Sequence, residues 1–490
     1  MKCYKAILLL SLFLVLGIFM GCGKNTAQTS FNSKPVYYQS ATKLAKALKN
    51  GEISSVQLLD VYLERIGRYN PKINAVVAMD VKAARIRAAA ADAALAQGKS
   101  WGPLTGLPMT VKDVFEVKGM PATSGNPKLK NHMPKQNALA VQRLEDAGAI
   151  IFGKTNTPLF ASDHQTYNKV YGVTNNPWDL NKTPGGSSGG SAAALAMGFT
   201  PLELGSDLGG SLRVPAHFTG VYGHRPSFGL VPRLGHIPPT PGTVPAFIMP
   251  KLALFVVGPM ARSAGDLDLA LEVLTTAGKS SEGFEGPKLL PAPKKKLSDY
   301  RVAVWFKDQS GGIDVDAQVL AGLKKAVEKL KAAGVKVEEA SPDFDLAQDR
   351  QLFLAFYRKI MARQLPDEPL YARQKKQQAK WAAFFKNYDV LLAPVTRTLA
   401  FPHNNKLDKK QRQVTVNGQK VRYLSNLGWC LMAVTSGLPA TAAPVGFSQS
   451  GLPLGVQIIG DRFKDRTTIA FAKGMSKILG GFVPPPGYNN

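Results

Sequence analysis

The chain has 490 residues, of which 45% are hydrophobic, and it carries a formal net charge of +27. That hydrophobic content supports a sizeable core and excludes a disordered chain, and a count of 3 cysteines excludes a scaffold held by disulfides. The positive charge suits nucleic acid or an anionic membrane, but basic residues recur in helix-like segments such as 323–331 and 373–380. We therefore interpret it as solvated helix faces, and expect no nucleic-acid partner and at most a basic surface near a membrane.

The N-terminus has the pattern of an export signal. Two lysines near the start precede an uncharged run at 6–20, which is too short for a comfortable membrane span. Residues 18–22 resemble a bacterial lipobox, which predicts that residues 1–21 are a signal peptide and that Cys22 is lipidated as the first mature residue. Residues 22–37 would then form a flexible tether. We expect an exported protein of the periplasm or cell surface, anchored to the membrane through Cys22. Simple secretion and an uncut anchor helix are the alternatives.

Helix signals come next along the chain. Three helices are predicted. The first covers 40–50 and the third covers 81–97, while the second begins at a capping box formed by Ser54 and Gln57 and ends before Pro71. From Thr105 onward, short apolar strands alternate with helices, which indicates a layered α/β fold. A Gly-, Pro- and Lys-rich connection at 284–296 precedes a strand–helix–strand unit at 300–338.

Two glycine-serine segments, 185–191 and 205–213, present serine hydroxyls in turns that a substrate can approach closely. Lys112 ends a short apolar strand, and burial among nonpolar neighbours would lower the pKa of its amine. A neutral amine can take the proton of a serine, and Ser-Lys arrangements support acyl transfer. Without such a partner, a Gly-Ser run would be a flexible linker. The 6 histidines are scattered, so a Ser-His-Asp triad has no local support, and no Cys/His spacing suggests zinc.

At these residues the chain resembles the amidase signature family. The intervals between Lys112, Ser187 and Ser211 match the family's usual spacing, and the segments 176–186 and 207–215 agree with its surrounding motifs. The resemblance implies that Ser211 is the nucleophile, that Ser187 follows a cis peptide bond and relays protons, and that Lys112 is the base. It predicts hydrolysis of a carboxamide, a small-molecule amide substrate, to a carboxylate and ammonia or an amine through an acyl-enzyme on Ser211.

Further residues of the two glycine-serine segments have expected roles around this triad. The predicted oxyanion donors are the backbone amides of Leu208, Gly209, Gly210 and Ser211. The predicted supporting residues are Ser188, Asp207 and Arg213, of which the last two brace each other. No metal and no cofactor are expected. Cys430 is interpreted as a buried apolar residue rather than a nucleophile.

The resemblance extends over roughly residues 38–478. It implies a layered fold in which helices cover both faces of a central mixed β-sheet. It also implies that the unit at 300–338 joins this sheet, although that unit resembles a separate domain. We therefore expect a single amidase domain at 38–490.

Some positions depart from the family pattern, among them His224, Leu230 and the segment 123–126. They put the choice of substrate in doubt rather than the reaction, and they leave the role of His224 open. Two other functions stay open as well. In one, the chain is an amidotransferase A-type subunit that releases ammonia from an amide. In the other, it is a catalytically inactive secreted binding lipoprotein.

Overall fold

The computed structural model describes residues 30–31, 34–241, 254–276, 286–308, 314–362 and 364–488. The predicted signal peptide at 1–21, Cys22 and most of the predicted tether lie outside these residues. Packing begins before the predicted domain boundary at residue 38, because Val36 is already buried. In the part of the chain that the structure describes, no helix has both the length and the hydropathy needed to cross a bilayer.

Both α-helices and β-strands occur along the described part of the chain. The helices are α1 Ala41–Lys49, α2 Ser55–Ile73, α3 Val81–Ala96, α4 Leu139–Asp146, α5 Gly189–Met197, α6 Arg213–Thr219, α7 Ala264–Thr275, α8 Ala317–Ala332, α9 Leu346–Met361, α10 Glu368–Phe384, α11 Gly428–Leu431 and α12 Asp465–Leu479. The strands are β1 Ser30–Phe31, β2 Lys34–Pro35, β3 Val76–Met79, β4 Pro108–Lys112, β5 Ile150–Thr155, β6 Tyr167–Asn168, β7 Gly172–Val173, β8 Leu202–Asp207, β9 Tyr222–Arg225, β10 Val256–Ala261, β11 Arg301–Val304, β12 Lys336–Glu339, β13 Val390–Pro394, β14 Gln413–Val416, β15 Gln419–Arg422, β16 Ala440–Phe447 and β17 Pro453–Ile459.

One large sheet organises the fold. Within the described residues it has 11 strands in the order β12-β11-β13-β17-β16-β9-β10-β8-β4-β5-β3. Strands β8, β4 and β5 are parallel neighbours, whereas β10 runs antiparallel to β8 and β9. Helices α5, α7 and α12 pack against β8, β10 and β16 respectively. The predicted α/β class with a central mixed sheet is confirmed.

The parallel pairing of β4 with β8 determines where the functional residues meet. Thr110 lies beside Glu203 and Val111 beside Leu204, so both strands end at the same edge of the sheet. Lys112 is the last residue of β4, and Asp207 is the last residue of β8. In sheets with parallel strands, ligands bind at the carboxyl ends of the strands. At this edge of the sheet, Lys112 therefore lies close to the second glycine-serine segment.

The N-terminal helices follow the sequence closely, with one correction. The capping box at Ser54 and Gln57 is confirmed. The prediction that this helix ends before Pro71 is wrong, because α2 continues through Pro71 to Ile73. Proline removes one hydrogen bond there, but the buried Ile73 packs into the core and Asn74 ends the helix in the left-handed conformation, with φ of 56°.

The strand–helix–strand unit at 300–338 is formed by β11, α8 and β12. Its two strands are parallel to each other, and β11 also pairs in parallel with β13. Through that pairing the unit lies in the large sheet, as the resemblance implies.

Candidate active site

Lys112 is completely buried at the end of β4, with no exposed surface. Its Nζ lies 2.7 Å from Ser187 Oγ and 3.2 Å from Ser206 Oγ. Burial lowers the pKa of this amine to about 7, against the opposing effect of the carboxyl groups of Asp207 and Glu203. The predicted burial is confirmed, and a substantial fraction of the amine is neutral at physiological pH.

Ser187 is held in a loop that requires glycine. The peptide bond between Gly186 and Ser187 is cis, and Gly185 has a φ of 85°, which side chains rarely adopt. A Cβ atom on Gly186 would lie 2.5 Å from the carbonyl oxygen of Asp163, so the loop passes directly over that backbone. The next turn begins α5, every residue of which is buried. The serine hydroxyl is therefore fixed against Lys112 by the packing on both sides of the loop.

Ser211 follows β8 in the turn that leads into α6, and 6% of its surface is exposed. The amide of Ser188 donates to the Ser211 carbonyl oxygen at 3.2 Å, which ties the two glycine-serine segments together. Within the described residues, the Ser211 hydroxyl forms no hydrogen bond. The structure thus brings Lys112 and Ser187 into direct contact and places Ser211 on a segment bonded to the residue after Ser187.

Asp207 holds this second segment through a buried cluster of charges. Arg213 Nε and Nη2 each lie 3.0 Å from its carboxylate, and Arg225 Nη1 lies 3.4 Å away. Burial alone would raise the pKa of Asp207, but the two guanidinium groups outweigh burial and hold the pKa well below its usual range. The carboxylate stays charged at all physiological pH values. The predicted contact between Asp207 and Arg213 is confirmed.

The backbone amides around Ser211 differ in their availability. The Gly210 amide, which the sequence predicted as an oxyanion donor, donates to Asp207 Oδ1 at 2.8 Å. It is therefore already engaged and is not free for an oxyanion. The amides of Gly209 and Ser211 have no partner among the described residues. Nε2 of His164 contacts the Gly209 carbonyl oxygen at 2.8 Å, which orients the peptide that precedes Gly210. Gly209 and Ser211, and Leu208 beside them, remain the predicted donors.

Other predicted residues have clear structural surroundings. Ser188 is buried and precedes α5, and its hydroxyl lies 3.4 Å from the Ser206 carbonyl oxygen. The Cys430 thiol is buried against Gly210, and burial raises its pKa to about 12, which agrees with its interpretation as an apolar residue. His224 is buried on β9, where it contacts Thr441 at 2.9 Å and Asp465 at 3.1 Å and so links β9 and β16 to α12.

Sequence reasoning missed several groups around Lys112. Ser206 contacts the amine directly, and His236 contacts Ser206 at 2.9 Å. Glu203 is buried beneath them among Thr110, Thr155 and Ser191, and burial raises the pKa of its carboxyl group to about 8. Ser206 and Glu203 lie on β8, the strand next to the one that carries Lys112. Knowing the strand order would have been enough to place them beside the lysine. His236 has no local signal.

Comparison with known proteins fits this arrangement. A family model described as Amidase matches residues 57–368 and 362–469. The chain belongs to the amidase signature family. It is 30% identical to the A-type subunit of a glutamyl-tRNA(Gln) amidotransferase from Roseiflexus castenholzii, over 91% of this chain and 96% of that protein. It is 31% identical to an indoleacetamide hydrolase from Bradyrhizobium diazoefficiens, over 91% of this chain and 87% of that protein.

A solved structure described as an amidase has the same fold, with a TM-score of 0.74 and 27% identity, and the match covers 90% of this chain and 100% of that one. Together with the family match, this similarity identifies the protein as an amide-hydrolysing enzyme. The site residues agree with that chemistry in type and in contact, because a buried amine and a serine hydroxyl form its centre.

The charge cluster of this amidase gives a prediction about stability. Replacing Arg213 by methionine should destabilise the protein by about 3–5 kcal/mol, because it leaves the Asp207 carboxylate buried without its main partner. Urea unfolding of Arg213→Met measures the change, and Arg373→Met on the exposed face of α10 is the matched control, expected within about 0.5 kcal/mol of the wild type. An Arg213 variant as stable as the control would contradict this account of the cluster.

Proposed function

We propose that this protein hydrolyses a carboxamide to a carboxylate and ammonia or an amine through an acyl-enzyme on Ser211. The contact between Lys112 Nζ and Ser187 Oγ at 2.7 Å carries the proposal, because the amine is buried and its pKa is near neutrality. A serine hydroxyl is a poor nucleophile until a base removes its proton. The neutral form of Lys112 is such a base.

The proton transfers balance in two halves. As Ser211 attacks the amide carbonyl and a C–O bond forms, its proton passes to Ser187, and the proton of Ser187 passes to Lys112. As the C–N bond breaks, the same proton returns from the Lys112 ammonium through Ser187 to the leaving nitrogen. Water then cleaves the ester by the same route and releases the acid. The amides of Gly209 and Ser211, which have no partner in the described part of the chain, are suited to stabilise the oxyanion in both halves.

A panel of amides tests this reaction. Purified protein would be incubated with aliphatic, aryl and long-chain amides, and the release of acid and of ammonia or amine would be measured. A fluorophosphonate probe, followed by peptide mapping, should label Ser211 of the native protein. Absence of both turnover and labelling would favour the catalytically inactive binding lipoprotein instead.

A second candidate is an amidotransferase A-type subunit, which the similarity to such proteins over most of the chain favours. Those relatives are named for a reaction on glutamyl-tRNA(Gln), and a protein of that type would release ammonia from an amide. The predicted export signal argues against this role, because tRNA amidation is cytoplasmic. Glutamine hydrolysis as the preferred activity, together with retention of the protein in the cytoplasm, would support this candidate over the first.

We also propose that the enzyme is exported and anchored through a lipid on Cys22. The support is the sequence pattern of residues 1–22, which lie outside the described structure. Metabolic labelling with an alkyne-bearing fatty acid should mark the wild type and not Cys22→Ser, and the variant should leave the membrane fraction. Equal labelling of both proteins would overturn the proposal.

A further inference from the structure

His236 lies in the interior behind Lys112, on the segment that follows β9. Only 6% of its surface is exposed, and its ring packs between Phe115 and Phe255, with centroid distances of 5.4 Å and 4.5 Å. Nδ1 lies 3.0 Å from the carbonyl oxygen of Pro238, and Nε2 lies 2.9 Å from Ser206 Oγ. Both ring nitrogens therefore have a defined partner.

These partners determine the tautomer of the ring. A carbonyl oxygen only accepts hydrogen bonds, so Nδ1 carries the hydrogen that is donated to Pro238. Burial, with the nearby positive charges of Lys112 and Arg233, lowers the pKa of His236 to about 3, so the ring is neutral at physiological pH. In a neutral ring with hydrogen on Nδ1, Nε2 has a lone pair and only accepts. The hydroxyl of Ser206 must then donate to it.

This donation has a consequence for Lys112. A serine hydroxyl has one hydrogen, and His236 accepts the hydrogen of Ser206. Ser206 is then only an acceptor toward the amine, 3.2 Å away. With its hydrogen free, Ser206 would donate to the lone pair of the neutral amine and so occupy the base. Instead Lys112 donates one N–H to Ser206, and its lone pair is left for the Ser187 hydroxyl at 2.7 Å.

We infer that His236 is a positioning residue of the amidase, which acts through Ser206 to keep the lone pair of Lys112 directed at Ser187. This inference rests on the proposed function, in which Lys112 is the base. The charged or titratable groups that face the two residues are Asp207 and Glu203 beside Lys112, and Arg233 beside His236. None of them replaces His236 as the acceptor of the Ser206 hydrogen in the described structure.

Two substitutions distinguish the role of His236 Nε2 as a hydrogen-bond acceptor from the role of the ring in packing. His236→Phe keeps an aromatic ring between Phe115 and Phe255 but removes the acceptor. Its kcat should fall about tenfold to a hundredfold with little change in KM, since the base is misdirected rather than lost. The acid limb of its pH–rate profile should move to lower pH. In this variant the Ser206 hydroxyl no longer donates to His236 and donates to Lys112 instead, which stabilises the neutral amine and lowers its pKa. His236→Gln, whose amide oxygen can accept at the same place, should recover most of the activity.

A double-mutant comparison tests whether the effect passes through Ser206. In a Ser206→Ala background, His236→Phe should change kcat by less than about twofold, whereas independent roles would give additive losses. Additive losses, or a His236→Phe enzyme with the wild-type rate and pH profile, would overturn the inference.

A measurement on the wild type covers the case in which His236→Phe does not fold. Nitrogen NMR of ¹⁵N-histidine-labelled enzyme should show a pyrrole-type Nδ1 and a bare, pyridine-type Nε2 for His236 from pH 5 to 9. The opposite tautomer would refute the inference without any variant. The outcomes also separate the two proposals, because a wild type that neither turns over amides nor labels at Ser211 contradicts the proposed function, while the tautomer still decides the role of His236.

Discussion

Ser211→Ala is expected to abolish amide hydrolysis, with kcat lower by about 10⁶-fold, the scale of loss when a serine hydrolase loses its nucleophile. The reason is that, within the described residues, the other serine hydroxyls of the two glycine-serine segments are engaged, those of Ser187 and Ser206 by Lys112. Ser188 and Ser191 are buried and bonded to neighbouring groups. Steady-state assays on the best amide of the panel measure the loss, and the fluorophosphonate label should disappear.

The matched control is Ser162→Ala, which removes an exposed hydroxyl whose partners among the described residues are the Leu159 carbonyl oxygen and Lys409. It should keep the wild-type kcat and the label. Ser211→Ala should also unfold at the wild-type temperature, since the lost hydroxyl forms no hydrogen bond within the described residues. Residual turnover within about a hundredfold of the wild type would mean that another group attacks the amide.

The second large effect concerns Lys112 and pH. Its amine must be neutral to accept a proton, and its pKa is lowered to about 7, so kcat/KM should fall about tenfold for each pH unit below that value. Lys112→Arg keeps the charge but not the titration, because guanidinium stays protonated. It should lose about 10³- to 10⁴-fold in kcat and show no acid limb near pH 7. An unchanged acid limb in this variant would assign the titration to another group.

Removing the same amine should stabilise the fold. In the unfolded chain Lys112 has its ordinary pKa of 10.5, whereas in the folded protein the pKa is about 7, so folding disfavours the proton. The cost is fully present below pH 7, is on the order of 4 kcal/mol at pH 7, and disappears as pH rises towards 10.5. Lys112→Met should therefore be more stable than the wild type at pH 6 and lose this advantage at higher pH. Urea unfolding at both pH values measures it; a destabilised variant at pH 6 would contradict the burial cost.

The local features of this protein could be predicted from its sequence, because they depend on residues that are close together in the chain. A capping box predicts the start of α2, and the glycines before Ser187 predict the turn that presents it. Arg213 contacts Asp207 across only six positions of the chain. The resemblance supplied the triad itself, since the residue types and their intervals are the family's signature.

The tertiary structure alone decided which groups surround the triad. Ser206 reaches Lys112 because β8 pairs beside β4, and the order of strands in a sheet is a property of non-local packing that local patterns do not encode. Arg225 joins Asp207, and His236 joins Ser206, from segments that come close only when the sheet forms. For the same reason the Gly210 amide was assigned to the oxyanion from its position in the chain, while the folded carboxylate of Asp207 engages it. The chain order thus determined the reacting groups, and the strand order determined their protonation and orientation.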